Sequence, residues 1–490
     1  MIAGMKILFV FSLSDIVTAQ KPLPMQEQMQ FGISYISAVL KAHRHQTRLI
    51  VLSRVIGKEN ESRLAGALQE FAPEVVCFTS VATEFGFIAE MARIARSLRP
   101  EAKLMVGGPH VTLVPEDAAG HPFDAICIGE GEYPALEYVD ALAGGDTPTG
   151  IPNLWLRSPG GWEKNPPRPF LEDLDGLPFP DRDIWQEWIL PGRTDRFSVL
   201  LGRGCPFPCT YCSNHALKKV ASGKYVRLRS VDNVLRECEG IAHRYPELQE
   251  IYFEVESIGT GKAWALEFCD RLARWNAGRD RLVGFGVNLR VTPNQDPEEL
   301  FAAFQRANFL FINIGVESGS ERVRRDILKR HYSNADIVKA VESARRHGLK
   351  ASFFNLIGLP GETEADFRET IGINRICQPD WHFLSIFYPY PGTELYQRCL
   401  EMGLTVESGA EARERRRATL DLPTFPRRRI MHHYYWFEYH VRVGRKSSVL
   451  MMLRVVAAWL MSHEATGRYY QAVYNSRLLR PFLKALQGRT

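Results

Sequence analysis

Gly202-Arg203-Gly204-Cys205-Pro206-Phe207-Pro208-Cys209-Thr210-Tyr211-Cys212 places three thiols within eight residues. The loop is too rich in glycine and proline to be a helix interior, so it is free to wrap a metal centre. Three thiolates can hold three corners of a cubic iron-sulfur cluster and leave a fourth iron open to substrate. A zinc knuckle completed by His215, or three unrelated cysteines, are the plainer alternatives. The loop follows a strand candidate, Ser198–Gly202, and further candidates recur at Glu250–Glu254, Leu282–Val287, Phe311–Gly315, Ala351–Ile357 and His382–Phe387 with helical stretches between them. Six βα units predict a partial (β/α)6 TIM-like barrel whose working face is the carboxyl ends of its strands, which is where the cysteine loop falls.

A second α/β pattern precedes it. Compact apolar runs at Lys6–Phe11, Thr47–Ser53, Glu74–Thr79, Ala102–Gly107 and Phe123–Ile128 alternate with helical spacing at Phe31–Lys41, Ser62–Glu70 and Glu84–Leu98. This predicts a doubly wound, Rossmann-like parallel sheet with helices on both faces, which binds ligands outside the carboxyl ends of its strands. Three loops there are unusual: Thr79-Ser80-Val81-Ala82-Thr83, Gly107-Gly108-Pro109-His110-Val111-Thr112 and Gly129-Glu130-Gly131-Glu132. Glycines allow close backbone approach to a large ligand and the hydroxyls supply hydrogen bonds. Tight strand-to-helix turns are the structural alternative for each loop taken singly.

The predicted organisation is a first domain over 1–145, a proline-rich connector over 146–196, the barrel over 197–400 and a basic, mainly helical region over 401–490. Among 490 residues, 45% are apolar and 24% charged, as in ordinary folded proteins. The net charge of +5 is unevenly spread: residues 401–490 carry 16 Lys/Arg against 7 Asp/Glu. Nine cysteines without a paired framework, and an opening that reads as a strand, predict a cytoplasmic chain. Val449–Met461 is too short to span a bilayer. Clustered arginines at 413–417 and 427–429, His432-His433-Tyr434-Tyr435-Trp436, and the apolar stretch followed by Tyr469 and Tyr470 predict a small helical cap over the barrel mouth. A peripheral membrane contact through this basic region is a second reading; nucleic acid is disfavoured, since no binding module accompanies the charge. Cys238, Cys269, Cys377 and Cys399 lack mutual spacing and are expected to be packed thiols.

The C-x3-C-x2-C spacing with Tyr211 before the last cysteine resembles the signature of the radical S-adenosylmethionine (SAM) superfamily. Ile314-Gly315-Val316-Glu317-Ser318-Gly319-Ser320, Ile357-Gly358-Leu359-Pro360-Gly361-Glu362-Thr363 and Pro389-Tyr390-Pro391-Gly392-Thr393 follow in the order of its cobalamin-dependent members. The V-G-G-P-H and G-E-G-E loops resemble the cobalamin-binding domain found ahead of such barrels. The resemblance implies a 4Fe-4S cluster on Cys205, Cys209 and Cys212, with SAM on its open iron. It places Tyr211 near adenine, Glu317 near the ribose or methionine end, and Arg290 near the SAM carboxylate. The family's second strand ends in two acids; here Val255 takes the first place and Glu256 remains. Cobalamin contacts would come from Thr79, Ser80, Gly107, Gly108, Pro109, His110, Glu130 and Gly131. The D-x-H-x-x-G motif is absent, since Lys41, His43, Gly108 and Ala119 stand two before His43, His45, His110 and His121. This implies base-off binding without that histidine, and His110 as a loop hydrogen-bonder. The implied activity is methyl transfer to an unactivated carbon of a small-molecule or lipid substrate, with an external flavodoxin- or ferredoxin-type electron donor. A cyclase or oxidoreductase without methyl transfer, and a cobalamin-binding sensor or carrier, are the rival readings. No catalytic side chain is assigned.

Overall fold

The computed structural model describes residues 4–14, 16–293, 296–404, 414–445 and 447–462, with backbone alone at 450, 454, 457, 458, 461 and 462. Arg413, Tyr469 and Tyr470 of the predicted tail lie outside the described residues. The chain divides into two compact units: Met1–Asn288 with Ala302–Leu310 and Tyr390–Tyr396, and Leu289–Phe301 with Phe311–Pro389 and Gln397–Thr490.

The first unit begins β1 (Lys6–Ser12), α1 (Phe31–Ala42), β2 (Gln46–Leu52), α2 (Glu59–Phe71), β3 (Val75–Thr79), α3 (Phe85–Leu98), β4 (Lys103–Gly107), α4 (Pro109–Leu113), α5 (Pro115–Ala119), β5 (Ala125–Cys127) and α6 (Glu132–Ala143). β1 to β5 are parallel in the order β2-β1-β3-β4-β5. Helices cover both faces, so the strands are continuous apolar runs; Ile7, Leu8, Phe9 and Val10 are all buried. α3 shows the complementary pattern, burying Phe85, Ile88, Ala89, Ala92 and Ala95 at helical spacing. The order reverses between β1 and β3, which opens a crevice at their carboxyl ends.

The proline-rich segment adds two strands absent from the sequence reading. β6 (Leu154–Ser158) and β7 (Gly161–Lys164) join the same sheet antiparallel to β5. Their prolines stand outside them: Pro152 precedes β6, Pro159 lies in the hairpin turn, and Pro166 follows β7.

There follow β8 (Arg196–Leu200), β9 (Gly202–Arg203), α7 (Ser213–Leu217), β10 (Arg227–Leu228), α8 (Val231–Arg244), β11 (Glu250–Glu254), α9 (Lys262–Ala277), β12 (Gly284–Leu289), α10 (Glu298–Ala307), β13 (Phe309–Glu317), α11 (Asn334–Arg346), β14 (Lys350–Ile357), α12 (Glu364–Cys377), β15 (Trp381–Ile386), α13 (Glu394–Glu401), α14 (Arg427–Arg442) and α15 (Ser448–Ser462). The second sheet takes the order β8-β11-β12-β13-β14-β15, parallel at each described pairing. Six strands with intervening helices form the partial barrel that the sequence predicts. Phe253, Phe268, Phe285, Phe304 and Phe309 interlock beneath the first three strands, with centroid separations such as 5.0 Å for Phe253–Phe268 and 4.4 Å for Phe304–Phe309. Cys238, Cys269, Cys377 and Cys399 are buried free thiols.

In the second unit α14 packs along α12 and β15, with Phe437 5.9 Å from Phe367 and 5.3 Å from the His382 ring. Its N-terminal end approaches the carboxyl end of β14, where Ile430 meets Gly358. Earlier in the same region Arg415 O accepts from the Ile386 N–H at the end of β15, and the Thr424 hydroxyl donates to Glu362 O in the turn after β14. The aromatic residues of α14 find ring partners on α12, and that contact decides its position.

Candidate functional site

The crevice of the first sheet is a cavity of about 350 Å³. Its floor is apolar, built from Phe9, Ile33, Ile36, Cys77, Met105 and Cys127. Burial pushes both thiols up to about 12, so they enter as neutral groups. The rim is backbone from the loops singled out in the sequence: Thr79, Gly107, Gly108, Glu130 and Gly131 line it. Gly108 has φ +105°, and a methyl group there would stand 2.6 Å from Ser80 O. At Gly131 the backbone is ordinary, and an added methyl group would meet only the Ile36 side-chain tip, at 2.9 Å. Gly108 keeps the mouth open and lets β4 turn into α4, where Pro109 supplies the first residue.

The rim fits a large polar-edged ligand with an apolar end. Ser80 Oγ is buried without a hydrogen-bond partner among the described residues; Ser80 backs Gly108 and is not among the residues that line the cavity. His110 stands elsewhere: its ring lies 4.7 Å from that of Phe85, and its Nε2 is 3.1 Å from Asp117 Oδ2. It does not line the cavity. Burial lowers its pKa against the opposing pull of Asp117, which favours the neutral ring.

The cysteine loop begins where β9 pairs antiparallel with β10. A side chain at Gly202 or Gly204 would collide with the backbone of that partner, at 2.3 Å from Arg227 O and 2.2 Å from Tyr225 O. The two glycines therefore let the two strands approach, with Arg203 between them. Arg203 donates to Glu130 Oε1 at 2.9 Å and to Glu132 Oε1 at 2.5 Å, and it lines the cavity as well. Arg227 donates to Glu130 Oε2 at 3.0 Å, and the Leu171 N–H reaches the same oxygen at 2.9 Å. Although burial opposes its charge, Glu132 and then Glu130 raise the Arg203 pKa. Glu130, predicted as a cofactor contact, is thus already held by two arginines. Arg203, Arg227 and Glu132 were not picked out from the sequence; the glycines on either side of Arg203 were the available signal.

Cys212 caps α7, which packs against α4, so the cysteine loop and the V-G-G-P-H loop are brought together within one unit. Cys209 is buried, while Cys205 and Cys212 are partly exposed. Burial pushes the Cys212 thiol up to about 12, against an Asn214 backbone bond that favours the thiolate; Glu256, Cys209 and Cys205 push in the same direction as burial. Three sulfurs and a carboxylate in this proximity suit an added positive centre. A cubane takes one thiolate per iron and spreads its ligands. Glu256 Oε1 accepts from Asn214 Nδ2 at 2.7 Å, and Asn214 Oδ1 from the Tyr225 hydroxyl at 2.6 Å, tying the end of β11 to the helix after Cys212. Tyr211 is partly exposed within the loop.

The second unit holds Arg290 and Glu317. Arg290 follows β12 and is partly exposed. Glu317 ends β13 with φ +63°, its carboxylate turned back over Gly315 and 3.5 Å from Arg330 Nη1. Arg330 and the Tyr332 hydroxyl both donate to Gly315 O. In the G-L-P-G-E-T turn, Glu362 Oε2 accepts from the backbone of Gly358 at 2.7 Å and of Leu359 at 3.1 Å. Thr363 then caps α12 in a reciprocal box with Asp366.

Comparison with known proteins matches residues 26–139 to the B12 binding domain and residues 199–372 to the radical SAM superfamily. An uncharacterized methyltransferase of Pyrococcus horikoshii, PH0819, is 27% identical over 376 residues, covering 76% of this chain and 79% of that protein. The anaerobic magnesium-protoporphyrin IX monomethyl ester cyclase of Rubrivivax gelatinosus is 26% identical, covering 76% and 66%. The structure of the radical SAM methyltransferase TsrM from Kitasatospora setae, with cobalamin and [4Fe-4S] cluster bound, superposes with a TM-score of 0.66 at 16% identity, over 83% of this chain and 78% of that one. That likeness establishes a shared fold.

Proposed function

From a chain in which a B12-binding domain precedes a radical SAM domain, we propose a cobalamin-dependent radical SAM enzyme that transfers a methyl group to an unactivated carbon through a 5'-deoxyadenosyl radical. The observation that carries it is the packing of α4 on α7 with Arg203 bridged to Glu130 and Glu132, which sets the cavity rim beside the cysteine loop. Cys205, Cys209 and Cys212 would hold the 4Fe-4S cluster. Glu256, fixed through Asn214, would face the SAM ammonium group, with Tyr211 toward the adenine. Arg290 and Glu317 would take the carboxylate and the ribose or methionine end. Thr79 and the Gly107-Gly108 and Gly131 backbone would receive cobalamin, its apolar end on the cavity floor. Ser80, Pro109 and His110 would shape that rim from behind. When bound, the cluster, SAM and cobalamin supply homolytic SAM cleavage, hydrogen abstraction and methyl delivery; the protein's share is orientation and exclusion of water.

The proposed domains are 1–145 for cobalamin, 146–196 as connector, 197–400 for SAM and 401–490 as a basic helical region. The proposed partners are a small-molecule or lipid substrate, a flavodoxin- or ferredoxin-type donor and a peripheral membrane surface, and the proposed location is the cytoplasm. No helix among the described residues is long and apolar enough to cross a membrane.

Similarity to the cyclase supports a second reading, ring closure without methyl transfer. Anaerobic turnover of the reconstituted protein with labelled SAM separates the two: methylation adds about 14 Da to the substrate and dehydrogenative closure removes about 2. Release of 5'-deoxyadenosine with no methylated product would overturn the first reading. Function that survives Cys209→Ala would point to a cobalamin sensor or carrier.

A further inference from the structure

We infer that the outer face of α15 is a docking surface for an anionic lipid bilayer. Val449, Met452, Leu453, Val456 and Trp459 recur at i, i+3, i+4, i+7 and i+10, and each is between 47% and 69% exposed, whereas Met451 is buried where α15 packs on α14. A helix normally turns such a stripe into a core, and exposed apolar stripes of this kind mark interaction surfaces.

Charge selects the occupant. From Arg427 to Ser462 the sequence carries seven Lys or Arg against Glu438 alone. Arg429 is engaged by Glu364, and Arg442 stands 3.5 Å from Glu438, so the hairpin remains cationic. Arg445, exposed where the chain enters α15, donates to Arg375 O, and the neighbouring Ile376 is 63% exposed. The apolar stripe is thus bordered by a cation where the chain enters the helix. Pairing with a second copy through this face would bring two cationic hairpins together, a like-charge cost. A bilayer rich in anionic headgroups instead complements the charge while its acyl region receives the stripe, with Trp459 at the level where tryptophan prefers to sit. α15 has 15 residues, too short to span, and would lie in the interface plane.

The test uses the full chain and co-sedimentation with vesicles of phosphatidylcholine alone or with about 30% phosphatidylglycerol, an anionic lipid attracting basic segments. Binding to the anionic vesicles should exceed binding to the neutral ones at least about tenfold and weaken with salt. The double variant Met452→Ser, Val456→Ser should bind about tenfold less tightly at an unchanged thermal midpoint. No binding to either vesicle, or wild-type binding by the double variant, would overturn the inference. So would reversible wild-type dimerisation in sedimentation equilibrium that the double variant abolishes, which would assign the face to a second copy. Each outcome is read without turnover and stands apart from the proposed reaction.

Discussion

Arg203 of the cysteine loop and Glu132 of the G-E-G-E loop are joined at 2.5 Å, and both line the cavity of the first sheet. The guanidinium spans Glu132 and Glu130, which in turn binds Arg227. Removing Arg203 would leave two largely buried carboxylates short of their counter-charge, a loss of roughly 3–5 kcal/mol for a buried pair broken on one side. Arg203→Met should therefore lower the urea midpoint and reduce retained cobalamin. Glu132→Gln, which keeps an acceptor oxygen and leaves Arg203 paired with Glu130, should lose less. Equal stability of wild type and Arg203→Met would mean that the bridge contributes nothing.

The cysteines divide into two sets. Cys205, Cys209 and Cys212 share one loop, while Cys238 and Cys269 are buried in helices of the same unit. Cys209→Ala should abolish the visible absorbance of the reconstituted cluster and all 5'-deoxyadenosine release. Cys269→Ala should retain both and lose only packing, about 1 kcal/mol. Cluster formation by Cys209→Ala at the wild-type iron content would remove the three-thiolate assignment.

The strands of the first sheet were readable because both its faces are covered, so Lys6–Ser12 stands out as a continuous apolar run, whereas Glu250–Glu254 of the second sheet alternates buried and partly exposed positions. β6 and β7 escaped because their neighbouring prolines signal breaks, and a strand of four or five residues between such breaks leaves little pattern. At the site, the cysteines and glycine loops announce themselves by spacing. Arg203 and Arg227 do not, since an ion pair between residues 71 or 97 positions apart has no local signature. His110 shows the converse: a conspicuous loop histidine turns out to face Asp117 and Phe85, and only tertiary packing decides that.

Gly108 combines a positive φ with a blocked Cβ position, 2.6 Å from a backbone oxygen that cannot swing away. Gly108→Ala should cost roughly 2–3 kcal/mol, the conformational and steric penalties adding. Because Gly108 lines the cavity, cobalamin retention during desalting should fall as well. Gly57→Ala serves as a comparison, with positive φ but open space around it; it should lose stability without losing cobalamin. Wild-type cobalamin retention by Gly108→Ala would show that the rim does not contact the cofactor.

Glu362 supplies a pH signature in the second unit. Burial raises its pKa to about 8, against the Leu359 and Gly358 N–H groups that favour the carboxylate. Below the ordinary carboxylate value, near 4.5, it is protonated in both folded and unfolded chains and contributes no pH dependence. Between that value and about 8 the unfolded chain has lost the proton and the folded chain has kept it, so stability falls as pH rises; above 8 the penalty is complete. Glu362→Gln keeps an acceptor for the two N–H groups and cannot ionise. Relative to wild type it should gain stability between pH 5 and pH 8.5, on the order of 3 kcal/mol across that interval. Urea midpoints of both proteins at the two pH values measure this directly, and a wild-type-minus-variant difference that stays constant would mean that Glu362 is ionised in the folded chain throughout.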